Sequence, residues 1–458
     1  MKSANLVVVA AVALGAWAAC QAQQPADTAE KLFNLAANCV ARLEFTYAND
    51  IVGTQKRIGQ AICLDAAKGI FITYDIPNTV PEDEMKDFAL IGPRDADKKV
   101  NAELLDVDAN EGIGFLRADK HEFKSLEQAA GAKLTIGMTV YAVGLLGPQT
   151  GNYPYLGQAA ISSMLRLPSQ IVMVNGDLTV ISSPVLSADG KLIGIIGSNQ
   201  LPLEYRMRFP NGQATDVGLS GTQYTRFFVP LDEISYLLAE PPAKGKGRRM
   251  PWIGVLQFKP VAGLEAKIMD LEGKPAALVE KVQSGSAAEK AGIKQGDAVI
   301  GLNGKSLEKM ATPELTEANF RRTLFRCKPG DKINLTIWRD KAAKEVPVTL
   351  EPMPDQPHEA ARYYNRNLGF AARDLVMLDR DGRAEPLKSK GALVTLVLPS
   401  SPAEKGNLKQ GDIIVQVGDK TVNNIADFAA DMKAAGETKP VSFQLIRNDK
   451  PEAVTIRP

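Results

Sequence analysis

One stretch of this chain occurs twice, and that constrains the fold more than any other feature of the sequence. Gly285-Ser286-Ala287-Ala288-Glu289-Lys290-Ala291-Gly292-Ile293-Lys294-Gln295-Gly296-Asp297 returns as Ser400-Ser401-Pro402-Ala403-Glu404-Lys405-Gly406-Asn407-Leu408-Lys409-Gln410-Gly411-Asp412, an offset of 115 residues. The same offset carries Ile253-Gly254-Val255 onto Leu368-Gly369-Phe370. Agreement at two separated places means a duplicated domain. Each copy opens with a short apolar strand, and its Gly-Asp turn leads into another (Ala298–Leu302; Ile413–Val417). The spacing then predicts one amphipathic helix per copy, over Pro313–Cys327 and Ile425–Ala435. A strand pair closes each copy: Lys332–Arg339 with Glu345–Leu350, and Pro440–Arg447 with Glu452–Ile456. The copies occupy 250–353 and 359–458. The proline-rich run between them makes 354–358 a linker.

Upstream the pattern is different. Residues 27–38 read as a short amphipathic helix. From Cys39 to Glu240, short apolar runs alternate with turn signals: Val40–Tyr47, Ile58–Leu64, Gly69–Thr73, Ile113–Arg117, Thr139–Gly144, Gln158–Met164, Gln170–Val174 and Leu192–Ile196. Many short strands over 27–240 predict an all-β barrel or sandwich. Asp189-Gly190 between two apolar runs is a hairpin signal. Residues 241–249, Pro-Pro-Ala-Lys-Gly-Lys-Gly-Arg-Arg, form a solvated linker.

Residues 1–22 read as an export signal, with Lys2 ahead of the apolar run Leu6–Ala19. Two exits stay open. Trp17-Ala18-Ala19-Cys20 is similar to a lipobox, which would acylate Cys20, while ordinary cleavage near Ala22 is the other. Both place the mature chain outside the cytoplasm, in the periplasm or cell envelope, and a lipid on Cys20 would be its only membrane attachment. Cys39 and Cys63 lie on segments flanking a turn near Ile51. In an oxidising compartment they are either a disulfide or two buried thiols. A net charge of +1 gives no field for nucleic acid. No metal-ligand cluster or phosphate-binding glycine loop stands out, so no cofactor or metal is expected.

The repeats resemble PDZ domains of the HtrA (DegP) kind, through the Ser-x-Ala-x-x-x-Gly-x-x-x-Gly-Asp run of the first copy; the second departs once, at Asn407. The resemblance implies capture of an extended peptide on an open sheet edge. Its carboxylate would meet the loops Trp252-Ile253-Gly254-Val255 and Asn367-Leu368-Gly369-Phe370. The helical stripes Phe320/Leu324 and Phe428/Met432 would either line the groove or belong to the core. Residues 27–240 resemble the HtrA protease domain, through Leu134–Gly144, Gly157–Met164, Phe228-Val229-Pro230-Leu231 and the run Pro184–Ile196. The fold class expected is therefore mainly β: a trypsin-like double β-barrel followed by two α+β PDZ domains.

That resemblance also places the family's catalytic triad. Its histidine falls at Ile76, its aspartate at Gly112 and its serine at Ile181, on an alignment open to a one-residue slip at each. Serine attack needs a base and a group to orient it. Only His121 and His358 exist, and neither is near these segments. The chain is therefore expected not to be an enzyme. As a pseudoprotease it would bind peptides or protein C-termini as a scaffold, chaperone-like binder or regulator. The alternative is an active serine endopeptidase with a displaced constellation, drawn from Ser182 or Ser183, Asp75 or Glu111, and a lysine. By family resemblance the partners are peptides or protein C-termini, copies of the chain itself (a trimer) or an active relative.

Overall fold

The computed structural model describes residues 28–458 apart from 50–52, 78–79, 95–97, 198–205, 209–213, 217–226, 245–248, 381–389 and 437–438. The export signal and Cys20 lie outside the described residues. The chain is mainly β, as its short apolar runs dictate. Helix α1 (28–37) leads into a sheet formed by β1 (Val40–Asn49), β2 (Gly53–Asp65), β3 (Ile70–Thr73), β4 (Met85–Ile91), β5 (Lys99–Asn101), β6 (Glu103–Asp108) and β7 (Ile113–Arg117). The order is β5-β4-β1-β2-β3-β7-β6. Its edge strands β5 and β6 are separated in sequence by Ala102 alone, so the sheet curls round on itself.

A closed barrel follows, from β8 (Thr139–Leu145), β9 (Pro154–Leu167), β10 (Ser169–Asn175), β11 (Pro184–Leu186) and β12 (Leu192–Ile195). After the small ladder β13 (Arg206–Arg208) with β14 (Ala214–Asp216), β15 (Phe227–Pro230) completes it in the order β10-β15-β12-β11-β8-β9. Gly190, at φ +85°, makes the β11–β12 turn where Asp189-Gly190 predicts it. Helix α2 (Leu231–Ala239) sends Leu231, Ile234, Leu237 and Leu238 into a core shared with Val40, Ile62 and Ile72 of the first sheet and Tyr141, Leu186 and Ile195 of the barrel.

The first repeat contains β16 (Pro251–Trp252), β17 (Val255–Pro260), α3 (Gly263–Ile268), β18 (Ala277–Val282), α4 (Ala287–Lys290), β19 (Ala298–Leu302), β20 (Lys305–Ser306), α5 (Pro313–Phe325), β21 (Lys332–Arg339), β22 (Ala342–Thr349) and β23 (Glu351–Pro352). The second contains β24 (Arg362–Asn365), β25 (Phe370–Asp374), α6 (Met377–Arg380), β26 (Ala392–Val397), α7 (Pro402–Lys405), β27 (Ile413–Val417), β28 (Lys420–Thr421), α8 (Ile425–Ala435), β29 (Val441–Arg447) and β30 (Lys450–Ile456). The caps account for both long helices. Thr312 accepts from Leu315 N–H ahead of Pro313, and Asn424 accepts from Asp427 N–H. The chain divides into two compact units, residues 1–44, 58–78 and 87–352, and residues 45–57, 79–86 and 353–458.

The repeated Gly-Asp turn has a common physical basis. Asp297, 1% exposed, takes Arg339 in a two-pronged pair at 2.5 and 2.6 Å and accepts from Lys294 N–H. Asp412, also 1% exposed, takes Arg447 at 2.7 Å on both oxygens and accepts from Lys409 N–H. Each arginine also donates across to a carbonyl, Gly292 or Asn407. The two arginines are 108 positions apart, which breaks the offset of 115 and hides the pairing from the sequence.

Cys39 and Cys63 are buried neighbours on β1 and β2, with Cys63 N–H donating to the Cys39 carbonyl at 2.8 Å. Both are free thiols. Burial pushes Cys39 up to about 11, and pushes Cys63 up to about 12 with help from Cys39 and Asp65. Two outcomes are expected. Native alkylation with iodoacetamide at pH 8 leaves both residues unmodified, because almost no thiolate is present, and mass spectrometry reads this directly. Asp297→Ala removes a buried carboxylate and the hydrogen bonds it accepts from Arg339 and Lys294 N–H, and lowers stability by about 1–3 kcal/mol, read from urea midpoints.

Candidate functional site

The turn between β10 and β11 is built by close backbone approach. Gly157 lies under it, and a Cβ there would sit 1.8 Å from the Leu178 carbonyl oxygen. Further along, Ser182 adopts φ +62°, the left-handed region that non-glycine residues seldom occupy. Strain of that sort persists only where its surroundings over-determine it. Here they do: Ser182 N–H donates to the Ile196 carbonyl at 2.9 Å, and Ile196 N–H to the Ser183 carbonyl at 3.0 Å.

The Ser182 hydroxyl is the hub of a buried network. It donates to Asp75 Oδ2 at 2.9 Å and accepts from Tyr74 N–H at 2.8 Å. Thr73 Oγ1 lies 3.3 Å away, but its own proton goes to the Gln60 carbonyl at 2.7 Å. Asp75 Oδ2 also accepts from Gln60 N–H at 2.8 Å. Gln60 Nε2 donates to Ser183 Oγ and to the Ser182 carbonyl. Gly59 leaves room for the carboxylate, since a Cβ there would meet Asp75 Cβ at 2.4 Å. Burial raises the Asp75 pKa, and the bonds from Gln60 and Ser182 offset only part of that. The arrangement is chemically a hydroxyl aimed at a buried carboxylate whose proton affinity is raised above that of an ordinary aspartate. Ser182 itself is 0% exposed, so a substrate reaches it only if the turn opens.

The positions expected to carry the triad sit beside this pair. Ile76 is buried against Gly114, Gly112 has φ +69°, and Ile181 is half-buried. Ser182 and Asp75 are each one residue from those positions, and so is Glu111. Glu111 is not turned to Ser182. It accepts from Arg322 at 2.8 Å and from the Tyr236 hydroxyl at 3.0 Å. Arg322, on α5, also donates to Glu233 at 2.7 Å, where Arg326 joins it. Burial raises the Glu111 pKa, and Arg322 opposes the rise. His121 packs edge-on to Phe71 at 5.1 Å, and the His358 carbonyl accepts from Arg362. Among the described residues neither histidine hydrogen-bonds to Ser182. The contact between Ser182 and Asp75 spans 107 positions, and only the one-residue slip in the alignment pointed to it.

The peptide-loop residues divide by repeat. Trp252 donates its indole N–H to the Val255 carbonyl at 3.2 Å, while Ile253 and Val255 are buried. Gly254 has φ +95°, and a Cβ would meet Ser286 at 2.2 Å, so the loop admits only glycine. Phe320 and Leu324 are buried in the core of the repeat, with Phe258 edge-on to Phe320 at 5.2 Å. Leu368, Phe370, Phe428 and Met432 belong to the core of the second repeat, and Gly369, at φ +75°, packs on Ser401.

The comparisons with known proteins agree with this anatomy. The PDZ domain family model matches residues 253–350 and 369–457. A Brucella suis protein named a probable periplasmic serine endoprotease, DegP-like, is 26% identical over 377 residues, 78% of this chain and 66% of that protein. A protein of the same name from Ectopseudomonas mendocina is 22% identical over 374 residues, covering 78% and 72%.

The chain is similar to HtrA/DegP-like serine endoproteases over most of its length.

Among solved structures, the HtrA-type protease AlgW with decapeptide superposes with a TM-score of 0.51 at 14% identity, covering 71% of this chain and 98% of that one. The same protease with tripeptide gives 0.51 at 16% identity, covering 71% and 97%. Both show that the fold is of the HtrA type. The expectation that this HtrA/DegP-like chain is not an enzyme is corrected by its relatives: those matched across 78% of it are named serine endoproteases, and nothing in the comparisons marks loss of activity. The expectation rested on the apolar or glycine residues Ile76, Gly112 and Ile181, and the polar groups Asp75, Glu111 and Ser182 lie one residue from them.

Asp75→Asn isolates the titration of the network. Because the folded pKa is raised from the ordinary aspartate value of 3.8, the folded state holds this proton longer than the unfolded chain. Wild-type stability therefore falls, relative to Asp75→Asn, as pH rises from about 4 through the raised pKa. Urea midpoints of the two proteins between pH 3 and 8 measure the divergence. Parallel curves would show that Asp75 titrates normally.

Proposed function

We propose that this chain is an exported serine endopeptidase of the HtrA/DegP kind, with Ser182 as a displaced nucleophile and Asp75 as its proton acceptor. The observation that carries the reading is the 2.9 Å hydrogen bond from the Ser182 hydroxyl to a buried carboxylate, in a turn with strained backbone. A carboxylate of raised pKa is a better proton acceptor than an ordinary one, though weaker than imidazole. Turnover is then on the order of a hundredfold or more below that of a histidine-based triad. Ile76, Gly112 and Ile181 take the family's triad positions but carry no chemistry in this reading. Substrate is polypeptide, and the PDZ repeats present it by binding C-termini, which is also the basis of a scaffold or chaperone-like role. The relatives' periplasmic names support export to that compartment.

Incubation with casein and with a fluorophosphonate probe tests the reading. Slow cleavage and labelling of Ser182 are expected, both abolished in Ser182→Ala and reduced at least tenfold in Asp75→Asn. A wild-type protein that takes no label after long exposure, while Ser182→Ala folds normally, would falsify it.

A further inference from the structure

The two repeats diverge at the sheet edge where a peptide would be added. In the first, β17 is the terminal strand of its sheet, and the preceding strand β16 pairs with β23 in a separate ladder. In the second, the strand before the glycine loop folds back onto β25 itself. Arg362 lies opposite Arg373, Tyr363 opposite Ala372, Tyr364 opposite Ala371 and Asn365 opposite Phe370. β24 is thus the terminal strand, antiparallel, on the side of β25 away from β26. A peptide joining β25 by strand addition would need the donors and acceptors that β24 already uses.

The side chains follow the backbone. Tyr363 sets its ring edge-on to Phe428 of α8, with centroids 5.2 Å apart, and lies 6.3 Å from Phe370. The glycine loop is engaged too. Leu368 N–H donates to Asn365 Oδ1 at 2.9 Å and Gly369 N–H to the Asn365 carbonyl at 2.8 Å. These are amides that a terminal carboxylate would need. Further bonds hold the strand: the Tyr364 hydroxyl donates to Glu84, and Arg362 donates to the carbonyls of Pro357 and His358.

We propose that β24 is a built-in occupant of the second repeat's peptide groove, so that the first repeat alone takes C-terminal peptides until Arg362–Asn365 is displaced. The part assigned to the first repeat rests on the peptide-binding reading above. A strand tethered by the short turn 366–369 competes at an effective concentration in the millimolar range, beyond what a dilute free peptide reaches. The groove is therefore regulated, and what frees it is release of the Tyr363 and Tyr364 contacts.

Hydrogen exchange and cross-linking on the full chain test this. The probe is a pool of short peptides with free apolar C-termini, each carrying a benzophenone. Without peptide, the amides of 370–374 exchange slowly. With peptide, cross-links fall in 253–260 and none in 368–374. Tyr363→Ala speeds exchange in 370–374 by up to about tenfold and opens a second cross-linking site there. Tyr364→Phe, which keeps the ring and drops only the hydroxyl bond, moves exchange the same way by less. Fast exchange of 370–374 in the free wild-type chain, or wild-type cross-links in 368–374, overturns the proposal. Absence of cross-links at both repeats with slow exchange in 370–374 supports the occupied groove and removes the peptide-binding reading of the first repeat.

Discussion

The amide of Gln60 is the constraint on which the N-terminal half depends. It projects from β2 of the first sheet, is 3% exposed, and satisfies its polar atoms on the other side. Its nitrogen donates to Ser183 Oγ and the Ser182 carbonyl, and its oxygen accepts from Leu145 N–H at the end of β8. Buried polar groups that lose a partner cost about 1–3 kcal/mol each. One side chain therefore sets the first sheet against both the serine turn and the closed barrel. The same residue's backbone N–H reaches Asp75, so positioning the barrel and positioning the Ser182–Asp75 pair are one event.

Much of the fold was legible because its signals are local. The duplicated run, the alternation of apolar residues and the Asp189-Gly190 turn each depend on neighbours within a few positions. Helix α8 has the ends that its apolar spacing predicts, and α5 stops two residues short of the predicted Cys327. What escaped the sequence is what two distant segments decide together. Arg339 and Arg447 close the Gly-Asp turns from strands that break the repeat's offset. Nothing in Arg362–Asn365 tells a strand that leaves for another ladder, as β16 does, from one that folds back onto β25.

The catalytic question turned on the same limit. A triad is read from sequence by register, and register to one residue is the weakest product of a distant resemblance. What the structure adds is a set of hydrogen bonds. Ser182 and Asp75 come together through Tyr74 N–H and Gln60 N–H, neither of which has a sequence signature. Glu111, by contrast, is drawn away from Ser182 to Arg322 and Tyr236, which makes it part of the seating of α5.

The Asp–Arg clamp also bears on how such a chain grows by duplication. Each copy carries its buried carboxylate, its guanidinium and the two backbone groups that complete the cage. Each clamp carboxylate has its guanidinium within its own copy. A repeat that neutralises itself can be added to a gene without first finding an acceptor surface, and its groove is then free to drift toward a different use from that of its twin.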